Sequence, residues 1–374
     1  MHKGFYTKPL LSLAAGFVFV ALSTVGFAQD APTAEVTPSA EIPTTLEPLP
    51  EMVRIQGLRP VYQQVNRCSA AALTIQLSHF EWEGNYDQVI AGLNPHADDV
   101  AVRLDEMVSY VQSQGLEAIE RVGGTLDLLR HLVAADFPVL IENSYFDGAG
   151  GLNDWMSHNR IVMGYDDNLR EIYTFDPLLG NGPDNTGRPI PYDDIDNRWR
   201  PFNRDYLVIY EAEREAELQA ILGEFWDPVA AHEFALTQSQ AEIDNGTADG
   251  YTYFNLGSSL LATANYVDAA TAFDQALSRE LPWRMLWYQY GPFEAYLALG
   301  RNEDVLRLAN SVIVTTPGVE EAYFFVGAAY EQMGELRGAL SHYQQSLTRN
   351  RNFAAAANGV ARIEALMVTP TPGA

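Results

Sequence analysis

The feature that most constrains this chain is an internal echo in its second half. Tyr253, Leu256, Gly257, Leu260, Ala269, Phe273 and Ala276 set small residues among large ones at the spacing two antiparallel helices need where their backbones touch. Tyr323, Val326, Gly327, Tyr330, Ala339 and Tyr343 repeat those offsets, and the two glycines lie 70 residues apart. Half that interval is one helix–turn–helix unit. A unit around Phe293, Gly300 and Val305 occupies the gap, keeping the helical period but losing the small contact residue. Such units bury their apolar faces only by stacking, so an all-helical array is expected over 217–366, with a disordered tail over 367–374.

The first half obeys different rules. A chain of 374 residues, 47% hydrophobic and 11% aromatic, has material for more than one core. Between Met52 and about residue 212 the pattern predicts helices over Cys68–Phe80, Tyr86–Leu93, Arg103–Gln114 and Thr125–Ala135, the last with Thr125 as N-cap. Strand-like runs follow at Pro138–Glu142, Arg160–Tyr165, Glu171–Phe175 and Tyr206–Tyr210, between loops rich in Gly, Asn, Asp and Pro. Helices first and a late antiparallel sheet indicate an α+β domain.

The ends read as processing and spacing. His2, Lys3 and Lys8 precede an apolar run from Leu10 to about Leu22 and a small-residue exit at Gly26 to Ala28, so residues 1–28 are expected to be a secretory signal peptide, with an uncleaved anchor as the alternative. Residues 29–51, with Pro32, Pro38, Pro43, Pro48 and Pro50, read as an extended linker. A secreted or envelope location follows, with no membrane span after cleavage. The formal charge is −26, and both lysines fall in the leader, so the remainder is more acidic still. That balance excludes nucleic acid and anionic lipid as natural partners.

Export would permit disulfides, yet Cys68 is the single cysteine, so no bridge within the chain is possible. In Tyr62, Gln63, Gln64, Val65, Asn66, Arg67, Cys68, Ser69, Ala70, Ala71, Ala72, Leu73, a polar loop turns into an Ala-rich helix at the cysteine. A thiol there meets unpaired amides and the positive end of the helix dipole, which favour thiolate. A sulfur nucleophile also needs an imidazole and a group that orients it.

Six of the seven histidines are poorly placed. His2 belongs to the leader, His232 and His342 to the helical half, His96 to a loop and His131 to the polar side of a helix. His79 rides the cysteine's own helix, about 16 Å away at 1.5 Å per residue. His158 instead begins the run His158 to Tyr165, followed by turn residues Asp166, Asp167 and Asn168 and a return strand ending at Asp176. A turn centred on Asp167 would set His158 and Asp176 directly opposite, with Cβ atoms about 5 Å apart. The carboxylate could then fix the imidazole's tautomer.

The Cys68 loop-to-helix segment, His158 on a strand entering Gly164, Tyr165 and Asp166, and Asp176-Pro177 resemble the papain-like cysteine peptidases, most closely the bacteriocin-processing branch that removes double-glycine leaders. The likeness covers about Leu58 to Tyr210. It implies an antiparallel sheet packed on the nucleophile's helix, followed here by tetratricopeptide repeats. It further implies that a glutamine before the cysteine, Gln63 or Gln64, donates to the oxyanion together with the Cys68 backbone N–H. Such an enzyme takes a peptide or protein substrate, needs no cofactor or metal, and would use the repeats to recruit a protein partner. The chain departs from the family where Gly and Pro commonly follow the cysteine, since Ser69 and Ala70 stand there. The alternative is a catalytically impaired envelope scaffold acting through its repeats. The acidic group Asp193, Asp194 and Asp196 reads as a solvated helix start, since it lacks the glycine and distal glutamate of a calcium loop.

Overall fold

The computed structural model describes residues 48–146 and 155–368. The leader, most of the linker and most of the loop before Trp155 lie outside the described residues. Within these bounds, no helix is long and apolar enough to cross a membrane.

The strands are β1 (Met52–Arg54), β2 (Glu117–Arg121), β3 (Val139–Phe146), β4 (Trp155–Asp166), β5 (Glu171–Phe175), β6 (Arg188–Pro191) and β7 (Tyr206–Tyr210). They form one antiparallel sheet in the order β2-β7-β3-β4-β5-β6, with β1 added to β4. β4 is long because it serves two sets of neighbours. Its first part pairs with β3, from Phe146↔Trp155 to Val139↔Val162, and its last residues pair with β1 and β5. At Gly164 a Cβ would lie 2.7 Å from the Val53 carbonyl oxygen, so glycine is what lets β1 close on this strand.

The first-half helices are α1 (Cys68–Leu77), α2 (Tyr86–Leu93), α3 (Leu104–Ser113), α4 (Leu126–Ala134) and α5 (Tyr192–Trp199). Each of the four predicted here forms, and Thr125 caps α4 by accepting the Leu128 N–H. α1 is buried from Ser69 to Leu77, as an Ala-rich helix without a polar face must be. Its one long polar side chain, Gln76, donates to the carbonyls of Pro138 (2.8 Å) and Leu207 (3.0 Å), fastening the helix to β7 and the start of β3. Asp193 and Asp194 occupy the first turn of α5, and Asp196 pairs with Arg204.

The rest is helical: α6 (Glu215–Leu222), α7 (Pro228–Asp244), α8 (Gly250–Ala262), α9 (Tyr266–Leu277), α10 (Gly291–Ala298), α11 (Asn302–Thr315), α12 (Glu320–Gln332), α13 (Leu336–Arg349) and α14 (Ala354–Val368). The echo is explained by contact. A Cβ on Gly257 would lie 2.8 Å from the Phe273 ring, and one on Gly327 would lie 2.8 Å from Tyr343. Each glycine stands sixteen positions before the ring it admits. In the middle unit the same spacing separates Phe293 from Ala309, both fully buried in one core, so the large and small residues have exchanged helices. Degeneracy there is a size swap that conserves volume.

The repeats pack against the first half. Trp155 stacks on Phe202 at 5.5 Å, and both belong to the same core as Phe254, Phe273 and Phe293. Arg200 reaches Glu242 (3.0 Å) and Asp249, and Asn203 donates to Ser259 Oγ (3.1 Å). The α+β half and the helical array therefore share a core.

Candidate active site

The loop before α1 is held by Arg67, whose guanidinium donates to the carbonyls of His96 (2.7 Å), Asp99 (3.0 Å) and Asn66 (3.0 Å). Asn66 takes a left-handed conformation, φ 57°, which asparagine tolerates better than most residues. The chain thus turns sharply and delivers Cys68 as the first residue of the helix, half-buried.

His158 lies on β4 and is almost fully buried. Its Nε2–H donates to Asp176 Oδ1 at 2.8 Å, which leaves Nδ1 for the thiol. Asp176 Oδ1 also accepts the N–H groups of Leu178 and Leu179, each at 2.8 Å, and Arg160 Nε lies 2.9 Å from Oδ2 in an ion pair too bent for a hydrogen bond. The predicted contact forms, but the predicted register does not. The β4–β5 turn falls after Asp166↔Glu171 and a bulge follows at Met163, so the last pair is Ile161↔Phe175. Asp176 therefore comes level with Arg160 rather than with His158. A shift of two residues preserves the face, so the carboxylate still reaches the imidazole diagonally and gains a guanidinium.

The electrostatics follow. Burial pushes the Cys68 thiol up, but the hydrogen bond and charge of His158, with help from Asn159, outweigh it and hold the thiol at about 7. Burial likewise disfavours the imidazolium, yet Asp176 and Cys68 keep His158 above its ordinary value. Asp176 is pulled well below the usual carboxylate range, because His158 and Arg160 overcome its desolvation. Each group thus favours the charged form of the next.

The two candidate glutamines part company. The Gln63 N–H donates to the Pro177 carbonyl (2.9 Å), tying it to the Asp176–Pro177 turn, and its Oε1 is buried without a hydrogen bond. Gln64 is exposed, and its N–H donates to Tyr86 Oη (3.0 Å). Ser69 and Ala70 are buried in α1, and Ser69 Oγ accepts Asn159 Nδ2 at 3.1 Å while that amide lies 3.8 Å from the Cys68 sulfur. Serine after the nucleophile is thus absorbed into a hydrogen bond.

Sequence reasoning missed Asn159 and Arg160 as site residues, although both sit in the strand run quoted for His158. An arginine on the histidine's own face of an apolar strand was the available signal. Tyr145, whose ring lies 5.6 Å from that of His158, offered none.

No family model matches this sequence, and no curated relative does. Among solved structures it is similar to a protein described as a C39-like peptidase from Bacillus anthracis, with 13% identity over 43% of this chain and 98% of the other and a TM-score of 0.33. A double-glycine-motif protease from an AMS/PCAT transporter, determined with its leader peptide, shows 18% identity over 42% of this chain and 93% of its own, with a TM-score of 0.31. The helical MamA from Desulfovibrio magneticus shows 18% identity over 37% of this chain and 86% of its own, with a TM-score of 0.29.

Proposed function

We propose that this chain is an exported papain-like thiol hydrolase of peptide or related acyl bonds. The reading is carried by one observation: Cys68 stands at a helix N-terminus with its thiol lowered by a buried His158 whose Nε2 is 2.8 Å from Asp176. The Cys68 thiolate adds to the acyl carbon while the imidazolium holds the proton. Collapse of the tetrahedral intermediate breaks the C–N bond, and His158 passes that proton to the leaving amine. Water, deprotonated by His158, then adds to the thioester, and the thiol leaves. Asp176 keeps Nε2–H fixed, so Nδ1 is always the shuttle.

The oxyanion is assigned to Gln63 Nε2 and the Cys68 N–H. Gln63 is preferred over Gln64 because its backbone is bound to the turn that holds Asp176. Export is supported by the basic, apolar and small-residue succession of residues 1–28. The repeats are assigned to protein recruitment, as stacked hairpins present continuous surfaces.

The test is a peptide-hydrolysis screen with mass spectrometry of the quenched protein. The expected result is a covalent acyl adduct on Cys68, lost in Cys68→Ser together with turnover. Turnover undiminished in that variant would overturn the assignment.

A further inference from the structure

A partly open cavity of about 560 Å³ lies between the sheet and the repeats, lined by residues of both halves. Five of its lining side chains are carboxyls: Asp105, Glu120, Glu142, Asp205 and Glu294. Among the described residues, Asp105 alone of the five has an ion-pair partner, Arg103 at 2.8 Å. The second guanidinium on the wall, Arg121, is spent on the carbonyls of Glu120, Phe225 and Trp226. Four carboxyls thus face one cavity with no ion pair among the described residues.

Glu142 is the most telling. It is 9% exposed, and its Oε1 accepts the Ser157 hydroxyl, while Oε2 makes no hydrogen bond among the described residues. The Asp205 carboxyl accepts the Glu142 N–H (3.3 Å). Burial, with the Cys68 thiolate adding to it, raises the Glu142 carboxyl to about 8, and burial together with Glu142 raises Asp205 well above its ordinary value. An isolated protein gains nothing from keeping such groups in reach of each other.

One wall of the cavity comes near the nucleophile: Glu142 pairs with Asn159 across β3 and β4, and the Asn159 side-chain amide lies 3.8 Å from the Cys68 sulfur. No three of the described acidic, histidine or cysteine side chains converge closely enough to hold a metal ion. Carboxyls spread around a volume of this size suit an extended organic cation instead.

We propose that this cavity is a substrate subsite, formed jointly by the sheet and the repeats, that receives an ammonium- or guanidinium-bearing segment of the peptide cleaved at Cys68. The subsite rests on the hydrolase reading for its purpose, but not for its chemistry. A bound cation offsets the repulsion that ionised Glu142, Asp205, Glu120 and Glu294 would feel and gives them charge-assisted hydrogen bonds, so the carboxyls release their protons as it enters.

The test uses the full chain carrying Cys68→Ala, so that binding is read without turnover. A fluorescent hexapeptide with two lysines is compared with its arginine counterpart and its norleucine counterpart. Both basic peptides are expected to bind about tenfold or more tighter than the neutral one. Titration calorimetry near pH 7 in two buffers of different ionisation heat should register proton release. The Glu142→Gln/Asp205→Asn variant should lose the preference, and so should Glu120→Gln on the opposite wall if the first variant unfolds. Equal binding of basic and neutral peptides, or a preference that survives these substitutions in folded protein, would overturn the subsite. A preference for basic peptides in a protein whose wild-type Cys68 proves inert would reject the hydrolase and leave the subsite standing.

Discussion

Two groups of buried charge lie within a few residues of each other on β4, and they are built oppositely. In the first, reached by His158 and Arg160, every charge has a counterpart: thiolate, imidazolium, carboxylate and guanidinium alternate, and the acids are pulled down. In the second, reached by Ser157, carboxyls outnumber cations and are pushed up. The first set can hold its charges in the empty protein, whereas the second can hold them only when something positive arrives. A completed network is thus suited to chemistry and an incomplete one to binding.

The strongest way to break this contrast is to unbalance the completed set. Asp176→Asn should lower turnover by about 10⁴-fold, the loss seen when an orienting carboxylate is removed from a hydrolytic triad. The same change strips Arg160 of its partner and should cost about 3–5 kcal/mol in denaturant unfolding, as removal of one member of a buried pair does. Glu142→Gln, in the incomplete set, should leave stability unchanged or raised. Destabilisation by the second substitution comparable to that by the first would erase the distinction.

The contrast sharpens at the other carboxyl cluster between the halves. Asp99, Glu106, Glu320 and Glu321 are raised chiefly by burial, Glu106 to about 7 and Glu320 to about 9. A carboxyl raised on folding binds its proton more tightly in the native state, so it stabilises fully only at low pH and loses that effect as pH rises through its native value. The melting temperature should therefore fall between pH 6 and pH 9, and Glu321→Gln should flatten that slope. A melting temperature constant over this range would contradict the burial of these groups.

Smaller effects are expected at the apolar glycine–ring contacts and turns of the repeats. Gly257→Ala puts a methyl 2.8 Å from Phe273 and should cost about 1–3 kcal/mol by overpacking. Ala264 takes φ 60° at the turn position that Gly300 and Gly334 fill in the other units. Ala264→Gly should accordingly stabilise by about 1 kcal/mol, the strain of a left-handed alanine. Thermal melts of the full chain read both.

What could be read from the sequence was what depends on short range. The Ala-rich α1, the capped α4 and the β5 and β7 runs carry their own periodicity, and the glycine–ring spacing of the repeats is local. β1 was invisible because three residues carry no pattern, β6 because half of it is proline, and β2 because Glu117, Glu120 and Arg121 leave it almost no apolar alternation. At the candidate site, Cys68, His158 and Asp176 could be chosen by residue type and order. The Arg160 ion pair depended on a bulge and on a turn centred between Asn168 and Leu169 rather than on Asp167. The carboxyl cavity could not be read at all, because its walls come from segments between residues 103 and 294 that only the folded chain assembles.

The central claim is that Cys68 and His158 form one ion pair, and the pH profile of Cys68 alkylation in the native protein tests it most directly. With the thiol held at about 7, the alkylation rate should reach half its plateau near neutral pH, and His158→Ala should move that midpoint up towards the range of an ordinary thiol, about 8.5. A midpoint near 8.5 in the wild-type protein, unmoved by His158→Ala, would contradict the account.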